Sequence, residues 1–242
     1  MCSEPTPIVL AFHKMMPRFS YGVTNYPPRR FEQLLNHLMD QGFSLTGDIA
    51  ISFDDGYAHL AEALPPLMTR YSFRLIVFVP TGWIGRANDW DYSRIFQSTP
   101  HLSFDEIKAL ADIGVRFGSH GHSHTDLTSL SDDQLGDELT GSRRLLESVT
   151  GERVTDISYP FGRVDQRVLS AVESAGYERG YTMDLPTDTD EALTRGRVPV
   201  YGYDTPAAVL RRIRGSRVEA LKAQCTHAFS AGTVLLNRLR GR

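Results

Sequence analysis

The sequence predicts an α/β fold, a single-domain distorted (β/α)7-type barrel whose strands are parallel. Short apolar runs of β type alternate with segments of helical periodicity almost from end to end, which is typical of a parallel sheet covered by helices. About seven such units suit a barrel that is closed or nearly closed. No repeat, low-complexity tract or Pro/Gly-rich linker divides the 242 residues, so we predict one domain over 1–242. The same alternation also fits a doubly wound open sheet.

The first half of the chain is predicted to supply four strands, over Ile8–Phe12, Ile49–Phe53, Leu75–Val79 and Val115–Gly118. Apolar residues at helical spacing predict helices over 31–38, near 59–71 and over 103–113. Gly42 ends the first of these, and Pro65 with Pro66 is expected to interrupt the second. Ser103 and Glu106 form a capping-box pattern at the start of the third.

The second half is predicted to add three strands, over Thr155–Tyr159, Tyr177–Met183 and Val198–Tyr201. Ser131 and Gln134 make another capping-box pattern, for a helix that runs towards Val149. Asp165 is the predicted N-cap of a helix that stops near Gly176. The rest of the chain has a helical pattern.

Composition argues against two classes of function. The net charge is −3 at pH 7, whereas a protein that binds nucleic acid through its phosphates carries a basic surplus. No run approaches the roughly 18 apolar residues of a membrane span, and no secretory signal precedes the first apolar run. We therefore expect a cytoplasmic protein. Cys2 and Cys225 match no zinc or redox spacing, which favours unpaired thiols in a reducing compartment.

The segment from Thr205 to Arg242 is rich in arginine. Its apolar residues can form a packed stripe, made of Val209, Ile213, Leu221, Val234 and Leu235. We favour a helical tail whose basic face is solvated. Peripheral docking of this basic tail on an anionic membrane or an acidic polymer is the alternative.

Polar residues that can bind a metal or carry a proton collect where the predicted strands end. The first strand ends at His13 and the second at Asp54 and Asp55. Residues 119–124, Ser-His-Gly-His-Ser-His, follow the fourth strand, and residues 159–162, Tyr-Pro-Phe-Gly, end the fifth. The carboxyl ends of barrel strands share one face, and active sites of such barrels lie there. These residues are therefore predicted to meet at one rim.

The adjacent carboxylates Asp54 and Asp55 repel each other unless a cation or a proton intervenes. Asp-Asp-Gly alone would indicate only a turn, but two histidines and one carboxylate form a common divalent-metal site. His120 and His124 can converge on one ion if the chain turns between them, whereas His122 would share a face with His120 on an extended strand. Spacing leaves this choice open. Structural roles are assigned to the four other histidines considered, His37, His59, His101 and His227.

Three segments resemble the motifs of one enzyme family. Ile51–Tyr57 is similar to the T-F-D-D-G motif of polysaccharide deacetylases, the carbohydrate esterase family with the NodB homology domain. Gly118–Leu127 resembles its second motif, two histidines separated by three residues, and Ser158–Gly162 resembles a relaxed form of the third, R-x-P-Y-G. The resemblance extends over Ile8–Val200. Its layout is similar to that of the poly-N-acetylglucosamine deacetylases, in which one motif stands at the N-terminus by permutation.

The resemblance implies a role for each matched residue. Asp54 corresponds to the general base of the family. The metal ligands of the family correspond to Asp55, His120 and His124, which leaves His122 as a neighbour of the site.

Contacts to the substrate are expected from three aromatic residues. Phe161 matches the third-motif aromatic whose backbone N–H helps to bind the oxyanion in relatives. Tyr159 is the second candidate for an oxyanion or substrate contact. Trp90 is the third, since its ring can stack on a pyranose, although a packed aromatic is the alternative.

The sequence departs from the family in three places. Ser158 stands where the third motif has an arginine that orients the base, and Arg197 is the candidate substitute. The D-x-x-D-W fourth motif is missing, although Asp184 lies in the corresponding region. The C-terminal L-x-H motif, which supplies the acid histidine, is missing as well. His13 resembles the N-terminal version of that motif and is therefore the candidate general acid, a histidine bonded to a carbonyl being the alternative.

These features predict a metal-dependent hydrolase that removes acetyl groups, above all N-acetyl groups, from an acetylated saccharide. Zinc is the expected cofactor, with cobalt or nickel as alternatives. A hydrolase of small non-sugar amides on the same fold is the first alternative function. A catalytically silent sugar-binding or assembly module is the second, and the presence of both Asp54 and Asp55 with the histidine pair counts against it.

Overall fold

The structure is a computed structural model that describes residues 6–17, 23–87 and 99–227. These residues contain one sheet of seven strands, in which all neighbouring strands are parallel. The strands are β1 Ile8–Phe12, β2 Ile49–Phe53, β3 Arg74–Val79, β4 Arg116–Ser119, β5 Asp156–Ser158, β6 Arg179–Tyr181 and β7 Val198–Pro199. Strands β6 and β7 are shorter than predicted, because only these residues pair with a neighbouring strand.

The strand order is β6-β5-β4-β3-β2-β1-β7. Each strand up to β6 lies beside the next one in the sequence, and β7 lies beside β1. This is the winding of a barrel, whereas a doubly wound sheet reverses its order in the middle. The curled edges are joined where Tyr181 of β6 pairs with Arg195, just before β7. The structure confirms the predicted barrel-like fold, with the sheet curled into a half-barrel, and excludes the doubly wound alternative.

Helices connect the strands from β1 to β6 and cover the outer face of the sheet. Those with full bounds are α1 Pro28–Asp40, α2 Leu60–Arg70, α3 Phe104–Asp112, α4 Asp132–Thr150, α5 Gln166–Ser174 and α6 Pro206–Ile213. A further helix, α7, begins at residue 217 and is described as far as residue 227. The predicted capping boxes are confirmed, since the hydroxyls of Ser103 and Ser131 accept from backbone N–H groups of α3 and α4. Asp165 caps α5 as predicted.

Helix α2 runs through Pro65 and Pro66 without the interruption that we expected. The two prolines remove the N–H groups that would bond to the carbonyls of Ala61 and Glu62. Burial of apolar side chains on one face of the helix offsets this loss. The buried residues are Leu60, Leu64 and Leu67.

Alternate residues along each strand face either the helices or the interior of the barrel. In β3, Val77 belongs to the large cluster under the helices, whereas Phe78 belongs to a small cluster inside the barrel. Arg197 is fully buried above this inner cluster, with its guanidinium 5.5 Å from the ring centroid of Phe78. The interior of the barrel therefore supports a charged side chain as well as apolar ones.

The C-terminal segment is less solvated than the predicted basic tail. Arg212 is buried and binds both carboxylate oxygens of Asp204, each at 2.9 Å. Val209 is buried as expected, but Leu221 is 61% exposed and does not join a packed stripe. The prediction of a solvated basic face is thus wrong for Arg212, and residues 228–242 lie outside the described part. Among the described helices, none is long and apolar enough to span a bilayer.

Candidate active site

Three left-handed backbone conformations meet at the carboxyl-terminal rim of the sheet. Asp55, His124 and Phe161 have φ angles of 69°, 59° and 59°, and within the described residues no other non-glycine residue has a positive φ. Such conformations cost of order 1–3 kcal/mol each and persist where the surrounding structure enforces them. All three are predicted site residues, so the backbone strain coincides with the sequence motifs.

The side chains of Asp55, His120 and His124 converge. Asp55 Oδ1 lies 3.6 Å from His120 Nε2 and 3.2 Å from His124 Nε2. One potential ligand atom from each residue lies within 4.8 Å of the other two, and all three residues are buried. Asp55 follows β2 and the two histidines follow β4, so two strand ends build this cluster.

The chain turns between the two histidines. Gly121 has a φ of 74°, and with the left-handed His124 it brings the second imidazole back towards the first. His122 is exposed, and its Nδ1 lies 2.9 Å from Thr81 Oγ1. The structure therefore selects His120 and His124 and leaves His122 outside the cluster.

The protonation of this cluster suits a metal ligand set. Nδ1 of His120 lies 2.7 Å from the backbone oxygen of Ser158, so Nδ1 carries the proton and the lone pair of Nε2 is available. Burial lowers the pKa of His120 to about 4, which keeps the ring neutral at pH 7. Burial alone would raise the pKa of Asp55, but His124 beside it lowers that pKa, so Asp55 is an anion.

The donor set fits a divalent transition metal ion. One carboxylate oxygen and two imidazole nitrogens are ligands that zinc accepts, with further coordination positions left for water and substrate. All the donors lie on the rim where the strands end, which is the open side of the barrel. Asp55, His120 and His124 can therefore hold the expected zinc ion, whose identity stays a prediction.

Arg197 reaches Asp54 from 143 residues further along the chain. Its two terminal nitrogens bind the two carboxylate oxygens at 2.7 and 2.8 Å. The same guanidinium donates to Ser158 Oγ at 2.8 Å, and the Ser158 hydroxyl donates to Asp54 at 3.2 Å. The small serine thus leaves room for a guanidinium that enters from another element. Arg197 is predicted to orient the base, and this contact with Asp54 is the one that such a role requires.

Asp54 is buried and stays ionised. Burial alone would raise its pKa, but the charge and hydrogen bonds of Arg197 outweigh burial and lower the pKa to about 2. Bidentate pairing also fixes the plane of the carboxylate. Asp54 is therefore an oriented anion at neutral pH.

His13 follows β1 at the same rim and is half-buried. Its charge lowers the pKa of both Asp54 and Asp55, which places His13 within electrostatic range of the two carboxylates. The structure therefore brings the candidate acid to the opening that holds the candidate base and ligands.

Phe161 is held from two sides. Its ring packs edge-on against the imidazole of His124, with 4.9 Å between the ring centroids. The imidazole of His227 at the end of α7 lies near the backbone carbonyl of Phe161. Burial lowers the pKa of His227, and the charge of His13 lowers it further. His227 therefore lies at the site, although no motif in the sequence signals it.

The side chain of Tyr159 is directed towards Leu193. It is buried, and its hydroxyl donates to the carbonyl of Leu193 at 2.7 Å. Because side chains alternate along a strand, Tyr159 points away from the face to which Ser158 contributes its hydroxyl. The predicted oxyanion or substrate contact of Tyr159 stays a prediction, and the side chain is bonded to Leu193 in this structure. Trp90 lies outside the described residues, and its contact stays a prediction.

The sequence profile of the polysaccharide deacetylase family matches residues 44–180. YxkH of Bacillus subtilis (strain 168), which is named after the same family, is 27% identical over 193 residues. That match covers 73% of this chain and 64% of YxkH. Poly-β-1,6-N-acetyl-D-glucosamine N-deacetylase of Staphylococcus aureus (strain MSSA476) is 23% identical over 158 residues, 60% of this chain and 52% of the relative. The chain thus spans less than two thirds of the length of these curated relatives.

Solved structures share the fold. A polysaccharide deacetylase from Bacillus cereus superposes with a TM-score of 0.71 at 25% identity, over 85% of this chain and 68% of that chain. The Streptococcus pyogenes deacetylase PplD, solved in complex with acetate, superposes with a TM-score of 0.72 at 19% identity, over 86% of this chain and 98% of that chain. Since the family profile covers more than half of the sequence, including Asp54, Asp55 and the histidine pair, the chain belongs to the polysaccharide deacetylase family.

Proposed function

We propose that this chain is a metal-dependent deacetylase that removes N-acetyl groups from a saccharide. The observation that carries the proposal is the convergence of Asp55, His120 and His124 next to Asp54, which Arg197 orients. Membership of the family supports carbohydrate deacetylation. The name of the Staphylococcus aureus relative makes β-1,6-linked N-acetylglucosamine oligomers the first substrates to test.

Each residue of the rim has a role in the proposed hydrolysis. A divalent cation held by Asp55 and the histidine pair would polarise the acetyl carbonyl and acidify water. Asp54, ionised and fixed by Arg197, accepts a proton from the attacking water. The backbone N–H of Phe161 donates to the developing oxyanion, a contribution of about 3 kcal/mol. His13 gives a proton to the departing amine, which leaves acetate and the free amino sugar.

Acetate release from N-acetylglucosamine oligomers tests the proposal. We expect chelation to abolish the activity and zinc to restore it, because three side chains of the rim are arranged as ligands. Asp54→Asn should keep its zinc but lose at least about 100-fold in turnover, whereas Asp55→Ala should lose zinc as well. Full activity after metal removal would overturn the proposal. Activity on small non-sugar amides alone would favour the alternative hydrolase.

The role of His13 has a test of its own. His13→Ala should keep its zinc and hydrolyse an N-acetyl amide more slowly, because the amine leaves only when protonated. An activated acetyl ester needs little proton assistance and should be affected less. If amide and activated ester lose the same factor, or neither is affected, His13 is not the acid.

A further inference from the structure

A carboxylate from helix α4 anchors the loop that carries the histidine pair. Glu138 is buried, and its Oε1 accepts from the backbone N–H groups of His122 at 2.7 Å and of Ser123 at 2.5 Å. The Ser123 hydroxyl donates to the same oxygen at 3.0 Å. Three donors thus meet one oxygen in the middle of the segment between His120 and His124.

Gly121 makes room for this carboxylate. A Cβ at position 121 would lie 3.0 Å from Oε1 of Glu138, and the φ of 74° would strain any larger residue there. The opposite edge of the loop is held as well, because the Gly82 N–H donates to the carbonyl of His122 at 2.8 Å. The loop is therefore clamped between α4 and the turn after β3.

The charge of Glu138 bears on the metal site. Within the described part of the chain, its hydrogen-bond partners are neutral, two amides and a hydroxyl. Such a buried carboxylate adds a negative charge beside the loop that supplies two metal ligands. In a low-dielectric environment this charge attracts a cation to the ligand cluster more strongly than it would in water.

We propose that Glu138 is a positioning residue for the metal. It holds the loop in the turn that directs His124 towards Asp55, and its charge favours a cation there. The left-handed conformation of His124, with a φ of 59°, is costly by itself. The hydrogen bonds that Glu138 accepts from the two preceding residues offset that cost. This inference rests on the proposed metal-dependent function.

Zinc affinity of the full chain, measured by competition with a chromophoric chelator, tests the inference. We expect zinc binding to weaken about 10- to 100-fold in Glu138→Ala, which is the usual effect of removing a group that orients metal ligands. Glu138→Asp should lose less zinc affinity than Glu138→Ala, because it keeps the negative charge. It should still lose some affinity, because its shorter side chain moves the acceptor oxygen away from the loop. Asp137→Ala, which removes the exposed neighbouring carboxylate of α4, should bind zinc like the wild type.

The melting temperature of the metal-free and zinc-loaded proteins separates metal positioning from general destabilisation. The rise in melting temperature on adding zinc should shrink in Glu138→Ala and stay unchanged in Asp137→Ala. Wild-type zinc affinity in Glu138→Ala refutes the inference. An equal loss of zinc affinity in Glu138→Ala and Asp137→Ala refutes it as well. If Glu138→Ala does not fold, Glu138→Asp is judged by the same criterion. A wild type that binds no zinc refutes the proposed function, and this inference with it.

Discussion

Two residues of the site have lowered pKa values for opposite reasons. Burial lowers the pKa of His120 to about 4, because an apolar surrounding disfavours the charged imidazolium. Burial would raise the pKa of Asp54, but pairing with Arg197 lowers it to about 2. From above about pH 4 to neutral pH, the rim therefore presents a neutral His120 imidazole and an Asp54 carboxylate anion together. Acid–base chemistry and metal binding need these two states at the same pH.

His59 makes the stability of the protein depend on pH. Burial, assisted by the charge of Lys14, lowers its pKa to about 3, and its Nε2 accepts from the N–H of Met15 at 2.7 Å. The unfolded chain, in which histidine titrates near pH 6.5, binds a proton that the folded state excludes. The free energy of unfolding should therefore fall as the pH drops below about 6.5, by about 1.4 kcal/mol per unit.

Urea denaturation of the metal-free protein at about pH 7 and about pH 5 measures this effect. The loss of unfolding free energy between the two pH values should be about 2 kcal/mol smaller in His59→Gln than in the wild type. His122→Gln, which removes an exposed histidine, should retain the wild-type difference. Equal differences in all three proteins would show that His59 does not exclude a proton.

Four strand ends and one distant helix build the opening. Strands β1, β2, β4 and β5 end at the rim, and α7 adds His227 from outside the sheet. The end of α7 is held in place where the Tyr203 hydroxyl lies 2.6 Å from Thr226 Oγ1. A helix that follows the last strand therefore completes the surroundings of Phe161.

The contact of His227 with the Phe161 backbone should matter for turnover. Without this contact, Phe161 loses a neighbour that restrains its left-handed backbone, and its N–H, the proposed oxyanion donor, becomes less well oriented. We expect His227→Ala to lower kcat about fivefold, which corresponds to a loss of about 1 kcal/mol of transition-state stabilisation. The measurement is kcat and KM on N-acetylglucosamine oligomers, with zinc content determined in parallel.

Gln224→Ala is the matched control for His227→Ala, because Gln224 is exposed on the same helix. It should leave both constants unchanged. A loss of zinc from His227→Ala, or a change in KM alone, would contradict a role in holding Phe161.

Arg197, which directly precedes β7, forms an ion pair with Asp54 at the end of β2. The ion pair with Asp54 is buried on both sides, with side chains 0% and 2% exposed. Removing one partner of such a pair leaves an uncompensated charge in the interior. We expect Arg197→Ala to lower the free energy of unfolding of the metal-free protein by about 3–5 kcal/mol, as measured by urea denaturation.

Two further variants show whether the loss of stability in Arg197→Ala comes from breaking the ion pair. Arg195→Ala removes a half-buried arginine two residues away and should cost less than about 1 kcal/mol. The double variant Arg197→Ala with Asp54→Asn should be more stable than Arg197→Ala alone, because no unpaired charge remains. If Arg197→Ala is as stable as Arg195→Ala, the pair does not hold the barrel together.

The positions of the strands and of the main site residues follow from local pattern. Apolar runs, capping residues and turns each depend on a few neighbouring residues, so five strands and the capped helices could be predicted closely. Asp54, Asp55 and His120 stand directly after strands, and any parallel barrel brings such strand ends to one face. For these residues, order along the chain and fold class were sufficient.

Other features depend on contacts between residues that are far apart in the chain. The choice of His124 over His122 depends on two left-handed residues, Gly121 and His124, and spacing alone leaves it open. Arg197 meets Asp54 only because the sheet curls and closes near β7. The direction of the Tyr159 side chain, the position of His227 near Phe161 and the position of Glu138 beside the histidine loop likewise depend on how the elements pack. Periodicity reports which face of an element is buried, but not which distant side chain lies against it.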